Sequence, residues 1–270
     1  MKDVIKESLN LLNEKGFEAY IVGGYVRDLL LKKESFDIDI CTNASPEKLK
    51  ELFHLEPGFY GELHFDKEKY HFTITPYRKE TTYENNRLIQ YEWVQDLKVD
   101  LERRDFTINT LCLNKEGTLI DVYQAKEDLL NKQIKGVGNL EQKLTEDSLR
   151  ILRAIRFATI LDFSLEEKLE KSLLKYKPFL KNISNYRVKE EITQILASKN
   201  FLKGIQLLKK IEALEILQLD FGSMTYYKEI NKMWAQVKIN RELPFTKEEK
   251  ATIVNERKKM QIVMNDCLEK

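Results

Sequence analysis

The sequence predicts an α+β fold, in which an N-terminal part built around a mixed sheet is followed by an all-helical part. Within residues 1–141, short apolar runs alternate with helical stretches, which is typical of strands and helices that share one sheet. From residue 142 onward, apolar residues such as Leu149, Leu152 and Ile155 recur at three-residue spacing, and strand signals vanish. No low-complexity linker or internal repeat separates the two parts.

The elements of the N-terminal part follow one another at short intervals. Strands are expected at residues 19–22, 36–41, 62–65 and 70–75. Helices are expected at residues 3–14, 26–31 and 46–53. Residues 78–92 are polar and lack both the helical and the strand periodicity, so we expect an exposed loop there.

The chain carries 45 Lys and Arg against 44 Asp and Glu, but these charges are unevenly distributed. Residues 163–270 contain 21 basic and 15 acidic side chains, a net charge of +6, which leaves residues 1–162 at −5. An acidic first part and a basic second part fit a metal site joined to a nucleic-acid-binding surface. Lys-rich helices with solvated faces would give the same pattern, so charge alone leaves both interpretations open.

Cysteine, histidine and apolar content exclude several classes of protein. Three widely spaced cysteines cannot complete a disulfide framework, and the three histidines show no zinc-ligand spacing. The charged N-terminus does not resemble a signal peptide, and no apolar run approaches the ~18 residues of a membrane span. We therefore expect a soluble, cytoplasmic protein with no membrane partner.

Asp37 and Asp39 are the first candidates for chemistry. Because side chains alternate along a strand, both carboxylates are predicted on one face, with Ile38 and Ile40 on the other. Such a pair of oxygen ligands suits Mg²⁺, which takes one or two carboxylates together with substrate phosphates. An isolated Asp-x-Asp pair is weak evidence, since it is more often structural.

A glycine pair lies upstream of these aspartates, where the first strand meets the next helix. Gly23 and Gly24 would let backbone N–H groups approach phosphate oxygens, and Arg27 would add a fixed guanidinium. An ordinary tight turn is the alternative for the glycines alone. A phosphate-binding turn that leads to two metal-binding carboxylates is the arrangement that nucleotidyl transfer requires.

Three motifs give the chain a family resemblance. Residues 23–31 followed by Asp37-Ile-Asp39 resemble the first signature motif of the class II tRNA nucleotidyltransferases (CCA-adding enzymes) and their bacterial poly(A) polymerase relatives. Residues 103–109 (Arg-Arg-Asp-Phe-Thr-Ile-Asn) resemble the second motif. Residues 146–156 (Glu-Asp-Ser-Leu-Arg-Ile-Leu-Arg-Ala-Ile-Arg) resemble the nucleotide-template motif.

The resemblance implies a domain order and a chemistry. The order is a nucleotidyltransferase head at 1–141, a helical neck with the template at 142–200, and a tRNA-binding helical body at 201–270, without the family's tail domain. The activity would be addition of C and A to the 3′ end of tRNA from CTP and ATP, with two Mg²⁺ ions held by Asp37 and Asp39. Nucleotide contacts are expected from Gly23, Gly24, Arg27, Arg104, Asp105, Asn109, Asp147, Arg150, Arg153 and Arg156.

The template motif offers a physical basis for base choice. Cytosine and adenine both present an amino donor beside a ring-nitrogen acceptor, which suit the carboxylate of Asp147 and the guanidinium of Arg150. Guanine and uracil reverse this order and would leave buried groups unpaired, at ~1–3 kcal/mol each. We expect these residues on one face of a helix that begins near Glu146, where Arg153 and Arg156 face the phosphates or brace the template. Simple i,i+3 salt bridges are the structural alternative.

The chain departs from the family pattern in two places. Thr73 replaces a glutamate that usually supplies a third carboxylate, and no long helical tail follows to grip the tRNA. Candidates for anchoring the RNA instead are Lys203, Lys209, Lys210, Arg257, Lys258 and Lys259. The alternative functions are addition of A alone, poly(A) polymerisation, and RNA binding without catalysis.

Overall fold

The computed structural model describes residues 2–268 and confirms the α+β class, with a mixed sheet followed by a predominantly helical region. The chain divides into two compact units. The first comprises the chain up to residue 82 together with residues 88–131 and 135–138. The second comprises residues 83–87, 132–134 and 139 onward.

The first unit contains the predicted elements of residues 3–76, each within two residues of its expected bounds. Its helices are α1 (Asp3–Glu14), α2 (Gly24–Leu30), α3 (Pro46–Phe53), α4 (Leu97–Glu102) and α5 (Ala125–Leu130), with a 3-10 turn at Thr107–Asn109. Its sheet strands are β1 (Ala19–Val22), β2 (Asp37–Thr42), β3 (Leu63–Lys67), β4 (Tyr70–Pro76), β7 (Cys112–Leu113) and β8 (Leu119–Ile120).

These strands form one mixed sheet in the order β3-β4-β2-β1-β7-β8. β2 and β4 run parallel, and the other neighbours run antiparallel. The register places Asp39 beside Val22 of β1 and beside Thr73 of β4. Ile38 and Ile40 are buried, whereas Asp37 and Asp39, which alternate with them, are exposed.

Residues 78–92 do not form the expected loop. They fold as a hairpin of β5 (Arg78–Glu84) and β6 (Arg87–Trp93). The turn residues Asn85 and Asn86 have φ of 49° and 62°, a conformation that asparagine tolerates and that matches the twist of a two-residue hairpin. Neither strand has a continuous apolar face, so the alternation that would have predicted them is missing from the sequence.

The second unit is predominantly helical. Its helices are α6 (Leu140–Glu146), α7 (Leu149–Leu161), α8 (Glu167–Tyr176), α9 (Asn185–Ala197), α10 (Phe201–Lys210), α11 (Ala213–Leu217), α12 (Ile230–Ala235) and α13 (Lys247–Lys259), with a 3-10 segment at Lys177–Asn182. Two strand pairs interrupt them, which the sequence did not predict because each strand is only two or three residues long. They join β9 (Gln133–Ile134) to β10 (Ser164–Leu165) and β11 (Leu219–Phe221) to β12 (Val237–Ile239).

Helix α7 lies at the centre of this unit, packed against α9 and α10. Gly204 lets α10 approach closely, since a Cβ there would lie 2.6 Å from the hydroxyl of Thr159 on α7 and 2.5 Å from Ile195 on α9. Among residues 2–268, no helix is long and apolar enough to cross a membrane.

The cysteines occupy two kinds of surroundings. Cys41 and Cys112 are buried with Val22, Tyr77 and Leu101 in one apolar cluster, where free cysteine behaves as a small hydrophobe. Burial raises the pKa of the Cys41 thiol well above its usual value, and its contact with Cys112 adds to the shift. The third thiol, outside this cluster, is partly exposed.

Candidate active site

The turn between β1 and α2 brings the chain close to the aspartates. Gly23 has a φ of 80°, which L side chains rarely adopt, and its N–H donates to the carbonyl of Leu111 at 3.2 Å. A Cβ at this position would lie 3.3 Å from Arg104 Nη1 and 3.8 Å from Asp39 Oδ2. Gly23 therefore brings the backbone close to the site, and its N–H is bonded to a backbone carbonyl.

Asp37 and Asp39 lie on the exposed face of β2. Desolvation raises the pKa of the Asp39 carboxyl, the nearby Arg104 opposes this shift, and the charge of Asp37 adds to it. Two carboxylates that repel each other in this way are both stabilised by a cation bound between them.

The donor set at this position fits a small divalent cation. Asp37 and Asp39 supply carboxylate oxygens, and the glycine at position 23 lets the backbone lie close to Asp39 Oδ2. Within the described residues, no group of three or more histidine, cysteine, aspartate or glutamate side chains is arranged to hold a metal ion. Thr73 lies directly beside Asp39, where its hydroxyl is 3.2 Å from His64 Nδ1, so the neighbouring strand offers a hydroxyl in place of a third carboxylate.

Three residues predicted from separate motifs form one hydrogen-bonded network. Arg27 donates to Asn109 Oδ1 at 2.8 Å, and Asn109 donates to Asp105 Oδ1 at 2.9 Å. Arg27 also pairs with Asp28 at 2.9 Å and is largely buried. The network joins α2 to the 3-10 turn and holds the Arg27 guanidinium against Gly24, where a Cβ would lie 3.6 Å from Nη2.

Asp100 is a fully buried carboxylate beside Arg104 that sequence reasoning missed. It accepts hydrogen bonds from Arg103 Nε at 2.9 Å and from the backbone N–H of Arg78 at 3.1 Å, while Arg104 Nη2 lies 3.8 Å from its other oxygen. Burial lowers the pKa of Arg103, and the negative charge of Asp100 opposes this shift. The available signal was the i, i+3, i+4 spacing of Asp100, Arg103 and Arg104.

In the second unit, Asp147 lies just before α7, which corrects the expectation of one helix from Glu146 onward. Helix α6 ends at Glu146, Asp147 is extended, and α7 begins at Leu149. Asp147 Oδ1 accepts the N–H of Leu149 at 3.2 Å. The side chain expected on a helix face therefore accepts a backbone N–H at the start of α7, two residues further along the chain.

Arg187, on α9, orients Asp147 and was not among the predicted residues. Its Nη2 donates to Asp147 Oδ2 at 2.8 Å, and its Nη1 donates to the carbonyl of Asn86 at 2.7 Å. Asn86 Oδ1 in turn accepts the N–H and the hydroxyl of Ser148 at 2.8 and 2.6 Å. Asp147 and Ser148 are thus held by residues distant in sequence, which motif spacing could not reveal.

The arginines of α7 have different surroundings. Arg150 is buried, and the guanidinium of Arg153 lies 5.5 Å from the ring centroid of Phe157. Arg156 pairs with Glu191 of α9 at 2.7 Å. Of the two roles considered for Arg156, this contact favours bracing of α7 against α9.

Arg257 is wrong as a candidate for anchoring RNA. Its side chain is 1% exposed and pairs with Asp266 at 2.7 Å. Three other candidates form surface ion pairs, Lys203 with Asp162, Lys210 with Glu170 and Lys259 with Glu256. Lys209 and Lys258 are exposed and stay predictions.

Comparison with known proteins identifies the family. The family model of the poly A polymerase head domain matches residues 19–135, and that of the probable RNA and SrmB-binding site of polymerase A matches residues 162–222. The CCA-adding enzyme of Enterococcus faecalis is 41% identical over 198 residues, which are 72% of this chain and 49% of that protein. That of Lactococcus lactis subsp. cremoris is 37% identical over 232 residues, 83% of this chain and 58% of that protein.

The chain belongs to the tRNA nucleotidyltransferase and poly(A) polymerase family. Nucleotidyltransferases of this family generally use divalent metal ions. The head-domain match contains the Gly23 turn and both aspartates, while the template residues 146–156 lie between the two matched segments. The chain spans about half the length of the curated relatives it matches.

Solved structures of the family resemble this fold. The Bacillus stearothermophilus CCA-adding enzyme in complex with CTP has a TM-score of 0.70 at 30% identity, covering 77% of this chain and 52% of that one. A tRNA nucleotidyltransferase complexed with a primer tRNA and an incoming ATP analog has a TM-score of 0.67 at 33% identity, covering 86% of this chain and 66% of that one.

Gly23→Ala is expected to weaken nucleotide binding at least about tenfold. The added Cβ would enter the space between Arg104 and Asp39, and the positive φ would be strained at a cost of about 1–3 kcal/mol. Gly117→Ala is the matched control, because Gly117 has φ of 83° and a Cβ added there would meet nothing within 4 Å. Both variants should lose thermal stability, and Gly23→Ala alone should raise the KM for nucleotide. Equal KM values would contradict the prediction.

Proposed function

We propose that this chain is a nucleotidyltransferase that adds C and A to the 3′ end of tRNA from CTP and ATP, without a nucleic-acid template. The observation that carries the proposal is that the Gly23 turn lies against the Arg104 guanidinium and the Asp39 carboxylate, 3.3 and 3.8 Å from where a Cβ at Gly23 would be. The likeness to a CCA-adding enzyme solved with CTP, and to a tRNA nucleotidyltransferase solved with primer tRNA and an ATP analog, supports the choice of substrates.

Asp37 and Asp39 would hold the metal ions, for which we propose Mg²⁺. When bound, two such ions supply charge neutralisation for the triphosphate and lower the pKa of the attacking hydroxyl. The two-carboxylate set fits this ion, because Mg²⁺ commonly completes its coordination with water and substrate phosphates.

The reaction is an in-line displacement at the α-phosphorus of the nucleotide. The 3′ oxygen of the RNA loses its proton and bonds to that phosphorus, while the bond to the bridging oxygen breaks and pyrophosphate leaves with its electrons. The chain contributes positioning and charge. Arg27, hydrogen-bonded to Asn109, and Arg104, which lies beside the buried Asp100, would present guanidinium groups to the triphosphate and ribose.

Asp147 and Arg150 would select the base. The carboxylate of Asp147, oriented by Arg187, accepts from the amino group of cytosine or adenine, and Arg150 donates to the ring nitrogen. In this proposal residues 1–141 are the catalytic head, 142–200 the neck with the template, and 201–270 a body that binds tRNA.

Incubation of the whole chain with tRNA lacking its 3′ end tests the proposal. Each of the four nucleotides is offered alone and in combination, with and without Mg²⁺, and the products are resolved by length. We expect addition of two C residues with CTP and completion with A when ATP follows. Extension of a tRNA ending in CC by ATP, with none by CTP, would assign an A-adding enzyme. Long A tracts would assign a poly(A) polymerase, and binding without incorporation an RNA-binding protein.

Asp147→Ala is expected to relax base choice by about tenfold or more. The variant loses the carboxylate that distinguishes an amino donor from a carbonyl, an interaction of ~1–3 kcal/mol. The measurement is kcat/KM for GTP and UTP against CTP and ATP, with Mn²⁺ binding measured in parallel. Mn²⁺ affinity should persist, since Asp37 and Asp39 are intact. An unchanged preference for C and A would refute the assignment of Asp147.

Asn86→Gly is expected to lower stability by about 1–3 kcal/mol and to raise misincorporation of G. Glycine accepts the positive φ of Asn86 but removes the acceptor for Ser148, next to Asp147. Asn85→Gly is the matched control, because Asn85 shares the turn and the positive φ but is exposed. The control should keep the melting temperature and the rate of G misincorporation of the parent. Similar effects of the two variants would contradict the role of Asn86 in holding Ser148.

A further inference from the structure

Four aromatic side chains form a continuous ladder on the first unit, outside the residues assigned above. Phe59 meets Tyr60 edge-on at 4.9 Å between ring centroids, Tyr60 meets Tyr91 at 5.7 Å, and Tyr91 meets Trp93 at 4.8 Å. The two ends of the ladder face solvent, since Phe59 is 77% and Trp93 is 41% exposed. We refer to these four residues as the aromatic platform.

The platform is held in place by the backbone around it. The hydroxyl of Tyr60 donates to the carbonyl of Leu88 at 3.4 Å, and that of Tyr91 donates to the carbonyl of Phe59 at 3.1 Å. Trp93 packs over Gly61, where a Cβ would lie 2.7 Å from the indole ring. Rings that are fixed on one side and open on the other lose little conformational entropy when a flat ligand stacks on them.

A chain of polar contacts joins the platform to the candidate active site. The Arg78 guanidinium lies 4.8 Å from the ring centroid of Tyr60, and the Arg78 N–H donates to Asp100 at 3.1 Å. Asp100 also lies 3.8 Å from Arg104 Nη2, and Arg104 Nη1 lies close to Gly23. The platform therefore lies two residues from the guanidinium that we assign to the nucleotide.

We propose that the aromatic platform stacks the unpaired bases of the RNA 3′ end that is being extended. Every nucleobase offers a flat face, and proteins that bind single strands combine aromatic rings with an arginine in this way. The connection from Arg78 to Arg104 favours RNA over a protein partner, because it links the rings through Arg78 and Asp100 to the proposed nucleotide site. The inference rests on the proposed function for the identity of the RNA.

The tryptophans of the sequence make the proposal directly measurable. Trp93 is exposed, whereas the other tryptophan, Trp234, is 1% exposed. The probe is an RNA hairpin with a single-stranded 3′ end of sequence ACC, and its blunt-ended counterpart is the control ligand. We expect the overhang probe to quench the fluorescence of Trp93, with loss of the quench in Trp93→Phe. Equal signals from both probes would overturn the proposal.

Variants separate stacking from other roles. Trp93→Ala and Phe59→Ala are expected to weaken binding of the overhang probe by about 5- to 150-fold, as for loss of a stacked base. Trp93→Phe should stay within a few-fold of the parent, and Leu130→Ala, which truncates a side chain 75% exposed elsewhere on this unit, should not change affinity. Unchanged affinity and unchanged KM for RNA in both alanine variants would refute the platform.

The outcome is distinguishable from failure of the proposed function. If the parent chain binds the overhang through Trp93 but incorporates no nucleotide, the platform stands and the enzymatic proposal fails. If the parent incorporates C and A while both alanine variants keep the parental KM for RNA, the enzymatic proposal stands and the platform fails. The melting temperature of each variant confirms that it is folded, and the fluorescence of the parent tests the platform without any substitution.

Discussion

Asp37→Asn is expected to lower the rate of nucleotide incorporation at least about a thousandfold, and Asp39→Asn is expected to do the same. Each change removes one of two carboxylates at a position where the neighbouring strand offers only Thr73. Metal ions contribute several kcal/mol of charge stabilisation in such transfers, and each 1.36 kcal/mol corresponds to a factor of ten in rate. Among residues 2–268, no third carboxylate joins Asp37 and Asp39 to compensate for the loss.

The measurement combines incorporation rate with direct binding of Mn²⁺, followed by electron paramagnetic resonance. Both asparagine variants should bind Mn²⁺ more weakly than the parent. Asp220→Asn is a matched control, since Asp220 is also an exposed aspartate on a strand but lies in the second unit. Rates within tenfold of the parent in either site variant would show that the two aspartates do not hold the catalytic metal.

Arg257→Met and Asp266→Asn are each expected to lower the free energy of unfolding by about 3–5 kcal/mol, the usual cost of removing one partner from a buried ion pair. Both side chains are essentially inaccessible, and Arg257 also donates to the carbonyls of Ala235 and Val237 at 3.2 and 2.8 Å. Either single change leaves the other charge buried without its counter-ion. Denaturant unfolding of each variant measures the loss.

Two further measurements separate the charge from the packing. The double variant Arg257→Met, Asp266→Leu should recover much of the loss, because an apolar pair of similar volume is often no less stable than a buried ion pair. Single variants that each lose less than about 1 kcal/mol would contradict the assignment of this pair as structural.

The loss of stability at low pH gives an independent test of the pair formed by Arg257 and Asp266. Burial alone would raise the pKa of Asp266, but hydrogen bonds from Arg257 and from two backbone N–H groups bring it below the usual value. A depressed pKa means that the stability is present above the unfolded-state pKa of about 3.9 and is lost as pH falls through the folded-state pKa. The difference between the parent and Asp266→Asn should therefore shrink in that range.

Local chemistry made much of the first unit predictable. The helix at residues 3–14, the Ala19–Val22 strand and the alternation around Asp37 and Asp39 each depend on neighbouring residues only, and the structure has them within two residues of the prediction. The hairpin at 78–93 was missed because its strands carry no apolar face, and its Asn85-Asn86 turn was the sole local signal.

Contacts between distant segments account for what the sequence could not provide. Asp147 accepts the N–H of Leu149 and pairs with a guanidinium 40 residues further along the chain, so its surroundings depend on how α7 and α9 pack. In the sequence, Asp100 resembles an ordinary acidic residue of a helix. Only the packing of α4 against β5 makes it the common acceptor for Arg78 and Arg103. For Arg257 the prediction was wrong in the opposite sense. The basic run at 257–259 resembles an exposed surface in the sequence, but Arg257 is buried.

The cysteine arrangement has a practical consequence for anyone handling this protein. Cys41 and Cys112 are sealed in the apolar cluster around Val22, and a raised pKa keeps the Cys41 sulfur protonated and unreactive. Cys267 is partly exposed and adjoins Asp266 in sequence. A thiol reagent should thus mark the native chain once, close to its C-terminal end, and acquire its second and third targets when the sheet opens. The number of labelled cysteines, followed by mass spectrometry over time, would therefore report the rate at which the first unit opens.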